Sequence, residues 1–159
     1  MRTTWLERDE TLDAVEVTIL NCGPGVSYAP KLERVEWLTM SMRAQLVAPN
    51  LKYIGDYTLP TPDEAKQRML DIAHIVVPDP TLLDMEHWHN ECGTVHCIAG
   101  WALTLAGETG QELENHFHRD TNIAGVILLG IEAFPLFYRS NDEALEYLRT
   151  LLKDNPPQE

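Results

Sequence analysis

A chain of 159 residues with 44% hydrophobic side chains is the size of one ordinary domain and is long enough to bury its own core. Its 25 acidic residues against 12 lysines and arginines leave a net charge of −13, which repels phosphate backbones and anionic lipid and so argues against direct nucleic-acid or membrane binding. With no run of about 18 apolar residues, no apolar leader and an odd count of three cysteines, the expectation is a soluble, cytoplasmic protein whose thiols are free or metal-bound.

Between Met1 and Pro60, Leu12, Val15 and Ile19 suit a helix while Val15, Val17 and Ile19 alternate as in a strand, so periodicity leaves both open. Asn21 to Pro30, with Gly23-Pro24-Gly25, reads as a loop. Leu32, Val35, Leu38, Met42 and Leu46 then predict a helix to about Val47, and Ala48 to Pro60 an extended connection. No internal repeat stands out.

Helix starts become legible from Thr61. Thr61-Pro62-Asp63-Glu64 is a capping box with proline at N1, followed by Ala65, Met69, Ile72 and Val76 at helical spacing and a stop near Pro78. Ile98, Ala99, Ala102, Leu103, Leu105 and Ala106 are apolar around most of a helix, capped by Thr94 and stopped at Gly107. Thr109 opens a second capping box for a helix to about His118, and Asn122 to Leu129 form another, closed by Gly130. Ser140-Asn141-Asp142-Glu143 is the third box, before the apolar stripe Ala144, Leu145, Leu148, Leu151 and Leu152. The predicted architecture is mainly α: a compact, bundle-like multi-helix domain with room for a small N-terminal β element. A loop-rich segment 1–60 would pack on a helical unit 61–155 within a single domain, leaving 156–159 as a frayed tail.

Chemistry concentrates in His87 to Cys97, His-Trp-His-Asn-Glu-Cys-Gly-Thr-Val-His-Cys. His87, His89, Cys92 and Cys97 could supply four zinc ligands, with His96 able to replace either of the first two histidines. Alternatively, Cys97 near a helix start could be an activated nucleophile with His116 or His118 as base and Asp120 orienting it. His89-Asn90-Glu91 matches the H-x-E of zinc deaminases, but Cys92 follows too soon for their second half. The bland alternative makes the cysteines buried hydrophobes, Trp88 and Trp101 packing anchors, and small Ala99, Gly100 and Ala102 a seat for another helix. Phe134, Leu136, Phe137 and Tyr138 read as core, or, where exposed, as a surface on which a partner docks.

Met85-x-x-Trp88, Cys92-Gly93-Thr94-x-x-Cys97-Ile98-Ala99-Gly100-Trp101-Ala102, Leu129-Gly130-Ile131 and Leu136-Phe137-Tyr138 together resemble a group of small uncharacterised bacterial and phage proteins. The resemblance covers about Met85 to Tyr138 and implies a shared helical unit and a bacterial host cytoplasm, with no activity attached. From Pro80 onward 13 acids face four cations, a local charge of −9 that suits a basic partner or a solvated surface. The functional expectation is therefore a non-enzymatic acidic protein that binds and modulates a host protein complex, of phage or mobile-element origin, without a cofactor. Its charge could imitate nucleic-acid phosphates. The alternatives are a zinc-stabilised small domain and a small cysteine hydrolase on Cys97.

Overall fold

The computed structural model describes residues 3–89, 93–118 and 120–158. Strands, not a helix, occupy the stretch from Leu32 to Val47, and more precede it: β1 Thr3–Leu6, β2 Glu16–Cys22, β3 Gly25–Tyr28, β4 Arg34–Met40 and β5 Ala44–Val47. The inward side chains explain the misleading periodicity. In β2 they are Val17, Leu20 and Cys22, and in β4 Val35, Leu38 and Met40, so each strand contains a three-residue step that imitates helical spacing. Met42, inward on the helical reading, is largely exposed.

Those inward residues stack in register, Val17 on Val35, Leu20 on Leu38 and Cys22 on Met40, in parallel pairing. Glu16 pairs with Arg34 and Arg34 in turn with Tyr53, so the chain comes back alongside itself once per coil with a nearly constant advance. The N-terminal region is therefore a short parallel β-solenoid, and the chain is mixed α/β rather than mainly α or all-α. It also contains a repeat that the hydrophobic pattern conceals: Ala29-Pro30-Lys31-Leu32 and Ala48-Pro49-Asn50-Leu51 make equivalent corners. In each, the leucine N–H donates to the alanine carbonyl, and Asn50 of the second corner donates to the Pro30 carbonyl of the first at 2.6 Å. One sheet runs β1-β2-β4 and on to β6 (Tyr53–Ile54) and β7 (Tyr57–Thr58), and the other pairs β3 with β5, so the loop expected at Asn21 to Pro30 also holds strand. The short strands β6 and β7 form an antiparallel hairpin. Its turn uses Gly55 at φ 57°, a left-handed conformation that glycine adopts without strain, and the reversal ends the stacking of coils.

Local capping chemistry defines the helical unit. Thr61 and Ser140 each complete a reciprocal capping box, opening α1 Pro62–Val76 and α5 Asn141–Asp154. Between them run α2 Ile98–Leu105, α3 Glu108–His116 and α4 Thr121–Leu129, then a 3-10 helix Ile131–Tyr138 around Pro135. Two expected caps move: Cys97 rather than Thr94 opens α2, and Gly107 rather than Thr109 precedes α3. Helix α2 lies on α4, where Gly125 meets the Ala99 methyl, and α1 packs on α4 and α5. Arg68 of α1 ties to the Leu128 carbonyl at 2.8 Å. The 3-10 helix seats on β5, so one core runs from the solenoid into the helices. No helix among the described residues is long and apolar enough to cross a membrane.

Candidate functional site

The His/Cys region is held by backbone bridges before side chains enter. Asp84 N–H donates to the His96 carbonyl, His96 N–H to Leu82 and Cys97 N–H to His87, which lays His89 against His96. Gly100, in the first turn of α2, completes the seat: a Cβ there would collide with the Trp88 carbonyl oxygen and press on His96 and His89. Trp101 fixes the other side, its indole N–H on the Leu82 carbonyl at 2.9 Å and its ring 4.7 Å from that of His96.

The imidazoles of His89 and His96 meet edge to face with their Nδ1 atoms 2.5 Å apart. His89 Nε2 lies 2.6 Å from Oε1 of Glu114 on α3, and the same oxygen accepts from Trp88 Nε1 at 2.7 Å. His96 Nε2 faces the Thr104 hydroxyl at 3.5 Å, while that hydroxyl donates to the Gly100 carbonyl at 2.9 Å. His96 is almost fully buried. Burial, then the neighbouring His89, push its pKa below the ordinary histidine value, against smaller opposing effects of the Gly93 carbonyl and Glu114. Spacing along the chain gives no sign of Glu114 or Thr104. Thr104 has one signal, a polar side chain on the otherwise apolar α2, and Glu114 has none among the polar residues of α3.

The remaining expected residues separate. His87 turns away to Asp84 at 2.8 Å and is well exposed. Cys92 lies outside the described residues. Cys97 uses its sulfur to cap α2, accepting from Gly100 N–H at 3.3 Å. Burial raises its thiol pKa and outweighs the N–H groups of Gly100 and Ala99 that lower it, the reverse of an activated thiolate. Among the described residues no three His, Cys, Asp or Glu side chains are arranged to hold a metal. Phe134 and Phe137 are buried and meet edge to face, so of the three candidate docking aromatics only Tyr138 is exposed, accepting from Asn122.

His116, His118 and Asp120 line a different concavity, a cleft of about 350 Å³ where the helices meet the sheet, and Cys97 is not part of its wall. The opposing wall is the run Glu36 to Thr39 with Asp56 and Tyr57. Burial raises the Asp120 pKa, and His116 meets Tyr57 edge to face with ring centres 5.3 Å apart. On the cleft side, β4 pairs with β6 only at Arg34 and Val35, so the strand beyond has its partner on the β2 side. The outward positions beside it form an apolar diagonal. Ile19 pairs with Trp37 and Asn21 with Trp5, placing both tryptophans on one face at 61% and 67% exposure. A larger cavity of about 990 Å³ lies between β5, α1 and the 3-10 helix, and its mainly apolar wall includes Lys52, Lys66 and Arg139.

In comparisons with known proteins the chain matches no family model, no curated protein and no solved structure.

Proposed function

We propose that this chain is a protein-binding module that recognises a partner on the outer face of its solenoid, around Trp5, Ile19 and Trp37. One observation carries the reading: among the described residues Trp5, Val15, Tyr28, Trp37, Met42 and Val47, six of the nine exposed large hydrophobics, all belong to the solenoid. Concentration of exposed apolar area on one unit favours an interaction surface over chance exposure. Tryptophans are the side chains that most often dominate binding energy. The open stretch of β4 beside Trp37 offers main-chain groups to an extended segment, and the net charge of −13 favours a partner with basic residues around its apolar contact.

The test is a crosslinking capture from bacterial lysate with the wild-type chain and the Trp5→Ala/Trp37→Ala double variant. The expected result is a specific partner captured by the first and lost by the second, with unchanged circular dichroism and with binding weakened by salt. Equal capture by both chains, or none by either, refutes the reading.

A second reading attaches to the larger cavity, where Lys52, Lys66 and Arg139 outnumber Glu132 on a mainly apolar wall and Lys52 is already paired with Glu33. That combination favours an anionic amphipathic molecule. Displacement of an anilinonaphthalene sulfonate dye by fatty acids, abolished in Lys66→Glu/Arg139→Glu, would support it; undisplaced dye would refute it.

A further inference from the structure

The hydrogen-bond partners around the two facing imidazoles lead to a ligand. Glu114 as a carboxylate can only accept, so the contact at His89 Nε2 places a ring hydrogen there, and in the neutral ring His89 Nδ1 is then a bare lone pair. The Thr104 hydroxyl has one hydrogen, already given to the Gly100 carbonyl, so towards His96 Nε2 it too can only accept. Among the described residues Glu114 and Thr104 both draw ring hydrogens to the Nε2 side, and the two Nδ1 atoms, 2.5 Å apart, face each other as bases. Two lone pairs at that separation repel unless a cation lies between them.

We propose that His89 and His96 form a binding site for a borderline divalent transition metal, zinc above all, each through its Nδ1 atom. Imidazole nitrogen is a favoured donor for such ions, and hard cations such as calcium prefer oxygen. Glu114 then plays the part that an outer carboxylate plays in histidine–zinc sites: it fixes the tautomer and orientation of His89 and makes its other nitrogen more basic. Thr104 does the same for His96. With zinc–nitrogen bonds of about 2.0–2.1 Å, a tetrahedral ion sets its two nitrogens about 3.3 Å apart, so binding parts the rings by under ~1 Å. His89, with 25% of its side chain exposed, provides both the movement and the entry path. The ion would pin the His87–His89 segment to His96, just before the cap of α2, and, through Glu114, to α3, with its other positions open to solvent or further donors.

The test uses the full chain stripped with a chelator, titrated with Co²⁺ while visible d–d absorption is recorded, and then with Zn²⁺. The expected result is one equivalent of Co²⁺ in a tetrahedral spectrum, displacement by Zn²⁺, and a rise in Tm with zinc. His89→Gln should abolish the spectrum while circular dichroism is retained, and Glu114→Gln should weaken zinc about 10- to 100-fold. His87→Gln, a change at an exposed ring turned to Asp84, should bind as wild type. If buried His96→Gln fails to fold, His89→Gln still decides the matter. Absence of both the cobalt spectrum and any zinc-dependent Tm shift would overturn the proposal and assign the Nδ1 pair to a shared proton. One-equivalent binding that survives His89→Gln would overturn it by placing the ion elsewhere.

Discussion

The solenoid and the helical unit solve the same burial problem in opposite ways. In the solenoid each inward residue meets its counterpart one coil away, Leu20 on Leu38, and the outer face is left to Trp5, Ile19 and Trp37. In the helical unit α2 and α4 are apolar nearly all round and enclose each other, and few large hydrophobics reach the surface. A quasi-one-dimensional stack opens coil by coil, whereas an interlocked bundle opens as a whole. The contrast is a statement about dynamics and about which half is free to recognise something.

The largest expected effect uses two of the three cysteines, Cys22 in the solenoid and Cys97 in the helical unit. Cys22 lies under the sheet with its pKa pushed up to about 12 by burial, against an ordinary value of 9.0. Its native thiolate population at neutral pH is therefore about a thousandfold below that of a free thiol. Timed alkylation read by mass spectrometry should find Cys22 and Cys97 both protected in buffer, with Cys22 released at the lower urea concentration. Simultaneous release would erase the contrast.

Core truncations should sharpen it. Phe134→Ala empties a fully buried aromatic site at the heart of the helices and should cost about 3–5 kcal/mol, lowering one cooperative melting transition. Leu20→Ala should cost about 2–5 kcal/mol. Its signature is different: hydrogen exchange should speed up in β1, β2 and β4 while the amides of α2 and α4 stay protected. Gly100→Ala follows at about 1–3 kcal/mol, because the added methyl drives the Trp88 carbonyl away from α2. Nuclear magnetic resonance should then show the His89 and His96 ring signals shifted and those of the solenoid unchanged.

The smallest effect concerns acid. Backbone and side-chain hydrogen bonds from Thr61 and Ser140 hold Glu64 and Glu143 below the usual glutamate pKa. The stabilisation this provides is present above the ordinary carboxylate value and is lost as pH falls through the lowered folded values. Far-ultraviolet circular dichroism should therefore show α1 and α5 fraying first on acidification. Glu64→Gln/Glu143→Gln should flatten that part of the profile; an unchanged profile would deny the caps a role.

The same division governs what can be read before folding. Capping boxes at Thr61 and Ser140 are contacts between near neighbours in the chain, so composition and order over one turn determine them, and both helices start where the letters say. The density of imidazole and thiol between His87 and Cys97 is equally visible. Which members act together is not: His87 serves Asp84, Cys97 caps a helix, and the partners that set the imidazole tautomers are Glu114 and Thr104, both on helices that begin after the cluster ends. Strand β4 escapes detection because the step Val35–Leu38 satisfies a helical template, whereas at β2 the alternation of Val15, Val17 and Ile19 keeps a strand open beside the helix. Only the Ala-Pro-x-Leu corners at Ala29 and Ala48 carry the true period. Strand pairing draws its stability from contacts between successive coils, such as Leu20 with Leu38 and Ser27 with Leu46, and local propensity contains no term for a neighbour that the chain has yet to bring alongside.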